Sequence, residues 1–471
     1  MYKFLKKNLL IIYFSIVFIG ILTIWYQLNL EDFWLDEMNS FWVADPNISF
    51  EEFLQRQKKS DYHNPLLFNL LLKQFLFSTK YDPNYARYLP FIFGSISIFF
   101  FGILSYQIKK DNSFLLTTLL ASLSIYLIKY SQEVRPYSLL LMLSIINISL
   151  YYLILNKTYR KTIYNYTLLL SFIIVSVLNY STNPFALIIL FSQITNSFIN
   201  FFFFNKKDKT FFFLLIPILS LYLLFNFNYL IYQISFNSYE LSDDIVNVID
   251  GLYFPRFFGS KIMGYIYLFT LIYLIIFNRK LLFYKSSNYL LLLIILIFSY
   301  LIPLVYSLIK TPVLHDRYII FVIIPVILLI SCLTNEINLK KIKNFIIFFI
   351  LISTLTNHYI EIFQRDIKKP EFKEIIKYIK KNNNEIHIVY YDNTESSFLV
   401  LNYLKNLTPT IQNDFNFTEF NNNLPKDLKK FWLICYTPQV NFDCNINNSK
   451  NLKLINAKKK YLIEAKLFKL N

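Results

Sequence analysis

The sequence predicts an α-helical polytopic membrane protein with a small soluble α/β domain at its C-terminus. Three observations carry that reading. The 471 residues are 55% hydrophobic and 19% aromatic with only 6 Gly, the composition of membrane helices rather than of a soluble core. Apolar runs long enough to cross a bilayer recur from Leu9 to Ile360. The connections between them alternate in cationic content, as the positive-inside rule requires of a chain that weaves through a membrane.

The first run, Leu9 to about Leu28, follows Lys3, Lys6 and Lys7, which keep the N-terminus cytoplasmic. Its apolar stretch is too long for a cleaved leader, and no small-residue cleavage site follows Gly20 to Leu30. Further spans are expected near 88–108, 114–130, 137–155, 164–180, 185–204, 211–232, 262–278, 289–309, 318–333 and 344–360, about eleven in all. Lys109 and Lys110; Lys157, Arg160 and Lys161; Lys206, Lys207 and Lys209; Arg279, Lys280 and Lys285; and Lys340, Lys341 and Lys343 then fall on the side of the N-terminus. This topology accounts for most of the net charge of +17 and removes the need for a nucleic-acid partner. Leu66 to Phe77 is apolar but short and carries Lys73 and Gln74, so it reads as a juxtamembrane helix lying in the plane of the outer face. Counting it as a crossing would invert every later loop.

The outer face then gathers four polar pieces: the loop from Asn29 to Arg87, the turn from Tyr130 to Tyr137, a loop of roughly Tyr232 to Lys261, and Lys310 to Arg317. Residues 1–360 form the membrane domain, with 29–87 as its first extracytoplasmic loop, and 361–471 form an extracytoplasmic soluble domain. In that domain Pro370 to Lys381 reads as an amphipathic helix with Phe372, Ile375, Ile376 and Ile379 on one face. Glu385 to Tyr391, Phe431 to Tyr436 and Tyr461 to Phe468 read as strands, and Phe398 to Leu404 as a second helix. Of the 3 Cys, Cys332 lies in a span as an apolar packing residue, while Cys435 and Cys444 are free to pair or not in an oxidising compartment. No His/Cys cluster has metal-ligand spacing, and no Gly-rich phosphate loop or nucleotide fingerprint is present. Chemistry driven by a nucleotide is therefore disfavoured.

Trp34-Leu35-Asp36-Glu37, just past the first span, is the chief candidate site. Carboxylates beside a membrane suit proton abstraction or cation binding where a lipid-linked substrate arrives, although an acidic pair also marks an ordinary solvated loop. Transfer of a lipid-linked sugar phosphate needs a base, cations for the departing phosphate and a platform for the sugar. Asp36 suits the base, and Glu37 either orients the acceptor or shares a divalent cation with it. The pair is compatible with a divalent cation and does not require one. Arg135 and Arg317, the latter beside His315 and Asp316, lie at phosphate depth, or else snorkel or pair with Glu133 and Asp316. Trp34, Trp42, Tyr62 and Tyr137 offer stacking faces or form an interfacial belt. His63 and Asp61 either serve the site or start the helix after Pro65.

Trp34-Leu35-Asp36-Glu37, His63-Asn64-Pro65-Leu66, Ser131-Gln132-Glu133-Val134-Arg135-Pro136-Tyr137 and Asp316-Arg317-Tyr318, in that order, resemble the GT-C superfamily of integral-membrane glycosyltransferases. The resemblance covers roughly residues 1–360 and is to the branch of protein O-mannosyltransferases and the lipid A aminoarabinose transferase. It implies a GT-C-type fold and a hexosyl- or pentosyltransferase in the cell membrane that uses a polyprenyl-phosphate sugar. The acceptor hydroxyl would belong to a lipid, glycan or protein. It also implies that Asp36 is the base, that Glu37 supports it, and that Arg135 lies near the lipid phosphate. Two departures bear on the acceptor side: Asn64 replaces the first Pro of the usual His-Pro-Pro-Leu, and Ser181-Thr182-Asn183 lacks a His that many relatives carry. A lipid or solute transporter, or a diphosphate-donor oligosaccharide ligase, are the alternatives. The absence of repeats and the scarcity of ionisable residues inside the spans weigh against transport.

Overall fold

The computed structural model describes residues 2–60, 66–156, 162–204, 254–282, 288–309, 316–382, 388–391, 397–407, 417–419, 430–436 and 452–470. The first span is α1 (Tyr2–Trp25). The loop after it folds into α2 (Leu35–Val43), α3 (Phe50–Ser60), α4 (Leu67–Ser78) and α5 (Pro83–Ala86). The helical body continues with α6 (Tyr88–Ile108), α7 (Ser113–Ser122), α8 (Ile125–Ser131), α9 (Tyr137–Asn156), α10 (Thr162–Tyr180) and α11 (Leu187–Phe204). Beyond 205–253 follow α12 (Phe254–Phe258), α13 (Lys261–Phe277), α14 (Arg279–Leu282) and α15 (Leu290–Ile309). A 3-10 turn (Asp316–Val322) leads into α16 (Ile323–Asn335), and α17 (Lys340–His358) closes the body.

Among the described residues, seven helices are long and apolar enough to cross a membrane, or eight if α7 and α8 count as one span. The chain is thus a multi-pass membrane protein by length and composition. The expected spans coincide with apolar helices except 211–232, which lies outside the described residues. The expected span 114–130 is broken: α7 and α8 meet at 53°. The sequence cause is Ser124, whose backbone is extended and whose hydroxyl accepts the Leu127 N–H at 3.3 Å, so it caps a new helix. Gly94 of α6 allows close approach here, since a Cβ would run into the Ser131 side chain of α8.

The two ends of the helical body differ. At one, Lys109 pairs with Asp111 at 3.0 Å and Glu336 at 2.8 Å, and Tyr289 donates to Glu336 at 3.0 Å. This brings together the connections that the charge pattern assigns to the N-terminal side. Cys332 is free and buried nearby. The other end carries α2 to α5 and the C-terminal layer.

That layer comprises α18 (Phe372–Asn382), β1 (Ile388–Tyr391), α19 (Ser397–Leu407), β2 (Phe417–Glu419), β3 (Lys430–Tyr436), β4 (Leu452–Lys460) and β5 (Ile463–Leu470). The sheet order is β2-β1-β3-β5-β4, parallel from β2 to β3 and antiparallel from β3 to β4. Phe372, Ile375, Ile376 and Ile379 are buried as one face of α18, as the sequence pattern requires. Two strands escaped the sequence reading, β2 and the lysine-rich edge strand β4. Cys435 is disulfide-bonded; Cys444 lies outside the described residues.

The C-terminal layer and the first loop share one hydrophobic core. Phe33, Met38 and Phe41 of the loop are buried with Tyr403 and Leu404 of α19, and the Phe33 and Tyr403 rings stack at 4.9 Å. The 12-residue α4, expected as a helix too short to span, buries Phe68, Leu72 and Leu76 in the same core.

Candidate active site

The local sequence explains why Trp34-Leu35-Asp36-Glu37 is a helix start. Trp34 is the extended N-cap residue, and Glu37, three residues on, reaches back to accept its N–H at 3.4 Å. Asp36 and Glu37 therefore occupy the first turn of α2, where the exposed N–H groups and the helix dipole favour negative charge.

The two carboxylates then part company. Glu37 is fully buried and saturated. Its Oε1 accepts from Arg87 Nε at 3.2 Å and Nη2 at 3.1 Å and from the Val134 N–H at 3.0 Å. Its Oε2 accepts from Arg87 Nη2 at 3.1 Å and Lys369 Nζ at 2.7 Å. Burial alone would raise its pKa; the charges of Arg87 and Lys369 and their hydrogen bonds overcome it and lower the value to about 2. Asp36 keeps a side chain 36% exposed, and its Oδ2 accepts from Arg317 Nη1 at 2.9 Å. A cation shared between the two carboxylates does not fit this arrangement, because Arg87 and Lys369 already occupy Glu37. Among the described residues, no group of three or more His, Cys, Asp or Glu side chains is placed to hold a metal.

Asp36 opens onto a cavity of about 590 Å³, within the ~300–1,000 Å³ typical of small-molecule sites. Trp34, Asp36, Lys129, Glu133, Glu361, Arg365, Lys368 and Lys369 are among its lining residues. The wall is therefore built jointly by the first loop, the end of α8, and the segment that follows α17. Lys129 pairs with Glu361 at 2.9 Å, and Lys369 lies 3.5 Å from Glu133. The Arg317 guanidinium stands over the Trp34 ring at 5.6 Å, with Lys369 Nζ at 6.0 Å from the same ring.

The segment 365–373 is held by a second acidic pair of the first loop, Glu31 and Asp32, both buried. Glu31 pairs with Arg365 and accepts the Lys368 N–H at 2.8 Å. Asp32 accepts the Lys373 N–H at 2.7 Å and the Tyr403 hydroxyl at 3.2 Å. Arg365 also donates to Gln132 at 2.7 Å, whose amide in turn caps the carbonyls of Ile24 and Tyr26.

The remaining sequence candidates fall out as follows. Trp34 and Asp36 meet at the cavity, and Arg317 joins them through Asp36. Arg135, expected beside a phosphate, is instead buried behind α2, with Nη1 3.3 Å from the Asp36 carbonyl and 3.1 Å from Ser40 Oγ. Tyr137, expected as a sugar platform, is 0% exposed, with Tyr130 edge-on at 5.0 Å and Arg135 over its ring. It offers no face to a ligand. The Trp42 ring is covered by Arg56 at 4.5 Å and Phe398 at 4.8 Å. Arg317 does not pair with Asp316, which is held by Arg256 at 3.1 Å and Tyr130 at 2.9 Å. His63, Asp61, Tyr62 and His315 lie outside the described residues. Sequence reasoning missed Arg87, Lys129, Arg365, Lys368 and Lys369. The last three form a cationic run before Pro370 that signals a role near the membrane, though not which loop it meets.

No family model matches the chain, and no curated protein does. The fold has a solved counterpart. ArnT from Cupriavidus metallidurans, in the apo state, superposes with a TM-score of 0.64 at 8% identity, over 98% of this chain and 98% of that one. The oligosaccharyltransferase of Archaeoglobus fulgidus aligns more loosely. In the apo form the TM-score is 0.43 at 9% identity, over 86% of this chain and 64% of that one; with zinc and sulfate it is 0.41 at 10%, over 79% and 59%. The chain thus has the ArnT-like fold of GT-C type that its motifs led us to expect.

Proposed function

We propose that the chain is an inverting membrane glycosyltransferase. It would move a hexosyl or pentosyl group from a polyprenyl-phosphate donor to a hydroxyl of a lipid, glycan or protein at the extracytoplasmic face, with Asp36 as general base. The observation that carries this reading is the division of labour in the first-loop pair: Glu37 is sealed into a buried ion-pair cluster, while Asp36 is left open to the cavity. The fold shared with ArnT supports the class of enzyme, and the motif order supports the donor type.

The chemistry follows from the contacts. The acceptor hydroxyl gives its proton to Asp36 as its oxygen attacks the anomeric carbon. Arg317, bonded to one Asp36 oxygen, fixes the carboxylate and leaves the other oxygen for the hydroxyl. Trp34 supplies the stacking face, and Glu37 and Arg135 are positioning residues that hold the first turn of α2. The departing phosphate meets the cationic part of the wall, where the exposed Lys368 carries no salt bridge among the described residues. Residues 361–471 form the extracytoplasmic domain that closes this wall. His63 stays a candidate for the acceptor side.

The test is a donor comparison. Membranes carrying the protein receive polyprenyl-monophosphate and polyprenyl-diphosphate sugars with a crude acceptor extract, and the released lipid phosphate is measured. The proposal requires release from the monophosphate donor. Release from the diphosphate donor alone would identify an oligosaccharide ligase instead.

A further inference from the structure

Glu133 belongs to the Ser131–Tyr137 motif, yet neither the resemblance nor the base assignment gives it a chemical role. It lies in the turn between α8 and α9 and lines the same cavity as Asp36 and Trp34. Lys369 bridges it to Glu37, unequally. The ammonium is 2.7 Å from Glu37 Oε2 but 3.5 Å from Glu133 Oε1. Glu37 has Arg87 and the Val134 N–H besides, so it is the better stabilised anion. Glu133 Oε2 is buried with no hydrogen-bond donor. An ionised carboxylate with an unmatched buried oxygen carries a desolvation penalty that a proton on that oxygen removes.

We propose that Glu133 is the acid of the site, a carboxyl that holds a proton in the resting cavity and gives it to the phosphate oxygen as the sugar departs. The inference rests on the transferase reading above. The acceptor oxygen bonds to the anomeric carbon while the bond from that carbon to the phosphate oxygen breaks. The bonding pair stays on the phosphate oxygen, which takes the Glu133 proton. The acceptor's proton ends on Asp36, and its return to Glu133 resets the pair. The donor leaves as a phosphate monoester monoanion, so atoms and charge balance.

Two carboxyls in unlike surroundings, Asp36 bonded to Arg317 at 2.9 Å and Glu133 with one oxygen buried and unmatched, are the arrangement that separates a base from an acid. Burial raises the pKa of Glu133 from its ordinary value, and Glu37 of α2 adds to this. Lys369, Arg317 and Arg87 oppose it, and the Tyr130 hydroxyl of α8 lies in the same field.

The experiment measures kcat and KM against pH for full-length protein in membranes, with a polyprenyl-phosphate sugar as donor, comparing the parent, Glu133→Gln and Glu133→Asp. The parent's kcat falls on the alkaline side as Glu133 loses its proton. Glu133→Gln lowers kcat by ~10²–10⁴-fold and flattens that limb, with KM changed by less than about threefold. Glu133→Asp keeps the limb at reduced kcat, and it carries the test if the Gln variant does not fold. A Gln variant with the parent's kcat, or an Asp variant without the limb, overturns the assignment while leaving the transferase intact. No release by the parent from any donor removes the transferase reading and this inference with it.

Discussion

Arg87 and Glu37 form a buried bidentate pair, with Arg87 Nη2 3.1 Å from each carboxylate oxygen. The same guanidinium donates to the carbonyls of Leu28 at 3.2 Å and Asp32 at 3.1 Å, and also to that of Glu31. One side chain therefore ties the exit of the first span to the start of α2. Removing it leaves the buried Glu37 carboxylate with Lys369 as its one cation among the described residues and strips its bidentate partner, so Arg87→Met should cost about 3–5 kcal/mol. Thermal unfolding in detergent checks this, and a loss below about 1 kcal/mol, the range of a surface pair, would show that Arg87 is no brace.

The depressed pKa of Glu37 fixes a pH dependence. Its folded value of about 2 lies below the ordinary 4.5, so the stabilisation is fully present above pH 4.5 and is lost as the pH falls toward 2. The shift corresponds to on the order of 3 kcal/mol. Unfolding midpoints between pH 7 and pH 2.5 should fall in that window. Glu37→Gln should start less stable at pH 7 and show a flatter acid limb.

Asp32 holds the N-terminus of α18 through the Lys373 N–H and holds α19 through Tyr403. Asp32→Ala strands both donors, at a cost of ~1–3 kcal/mol for each one left buried and unpaired. Hydrogen exchange should show the Lys373 amide exchanging faster, while amides within α16 keep their protection. Unchanged exchange at Lys373 would mean that the C-terminal layer docks by its apolar core alone.

Tyr137 is fully buried, and its hydroxyl makes no hydrogen bond. Tyr137→Phe should leave kcat/KM within about twofold of the parent and stability unchanged or slightly raised, since no partnered group is lost. Trp34→Ala, at the cavity wall, should lower kcat/KM by ~10-fold or more. Equal losses in the two variants would return Tyr137 to the binding site.

The membrane body was legible because its signals are local. Span length, charge alternation and the apolar face of α18 are each written within a few turns of chain. The start of α2 was not read from the sequence, although its capping pair, Trp34 and Glu37, stands only three residues apart. The partners of Glu37 were not legible, since Arg87 is 50 residues away and Lys369 is 332 away. No spacing rule links such residues. The edge strand β4 was missed because its residues Lys458, Lys459 and Lys460 interrupt the alternation that marks a strand. The burial of Arg135 and Tyr137 was not legible, because depth in the membrane can be read from position, whereas burial depends on packing.

In the proposed reaction Asp36, and not Glu37, meets the reacting hydroxyl. The most direct test is the rate of polyprenyl phosphate release from a polyprenyl-phosphate sugar by membranes carrying the parent or Asp36→Asn. Asp36→Asn keeps the shape of the side chain at a solvent-open position, so the fold should survive and unfolding midpoints should match. Turnover should fall by ~10²–10⁴-fold in the variant. Equal release by parent and variant would contradict it.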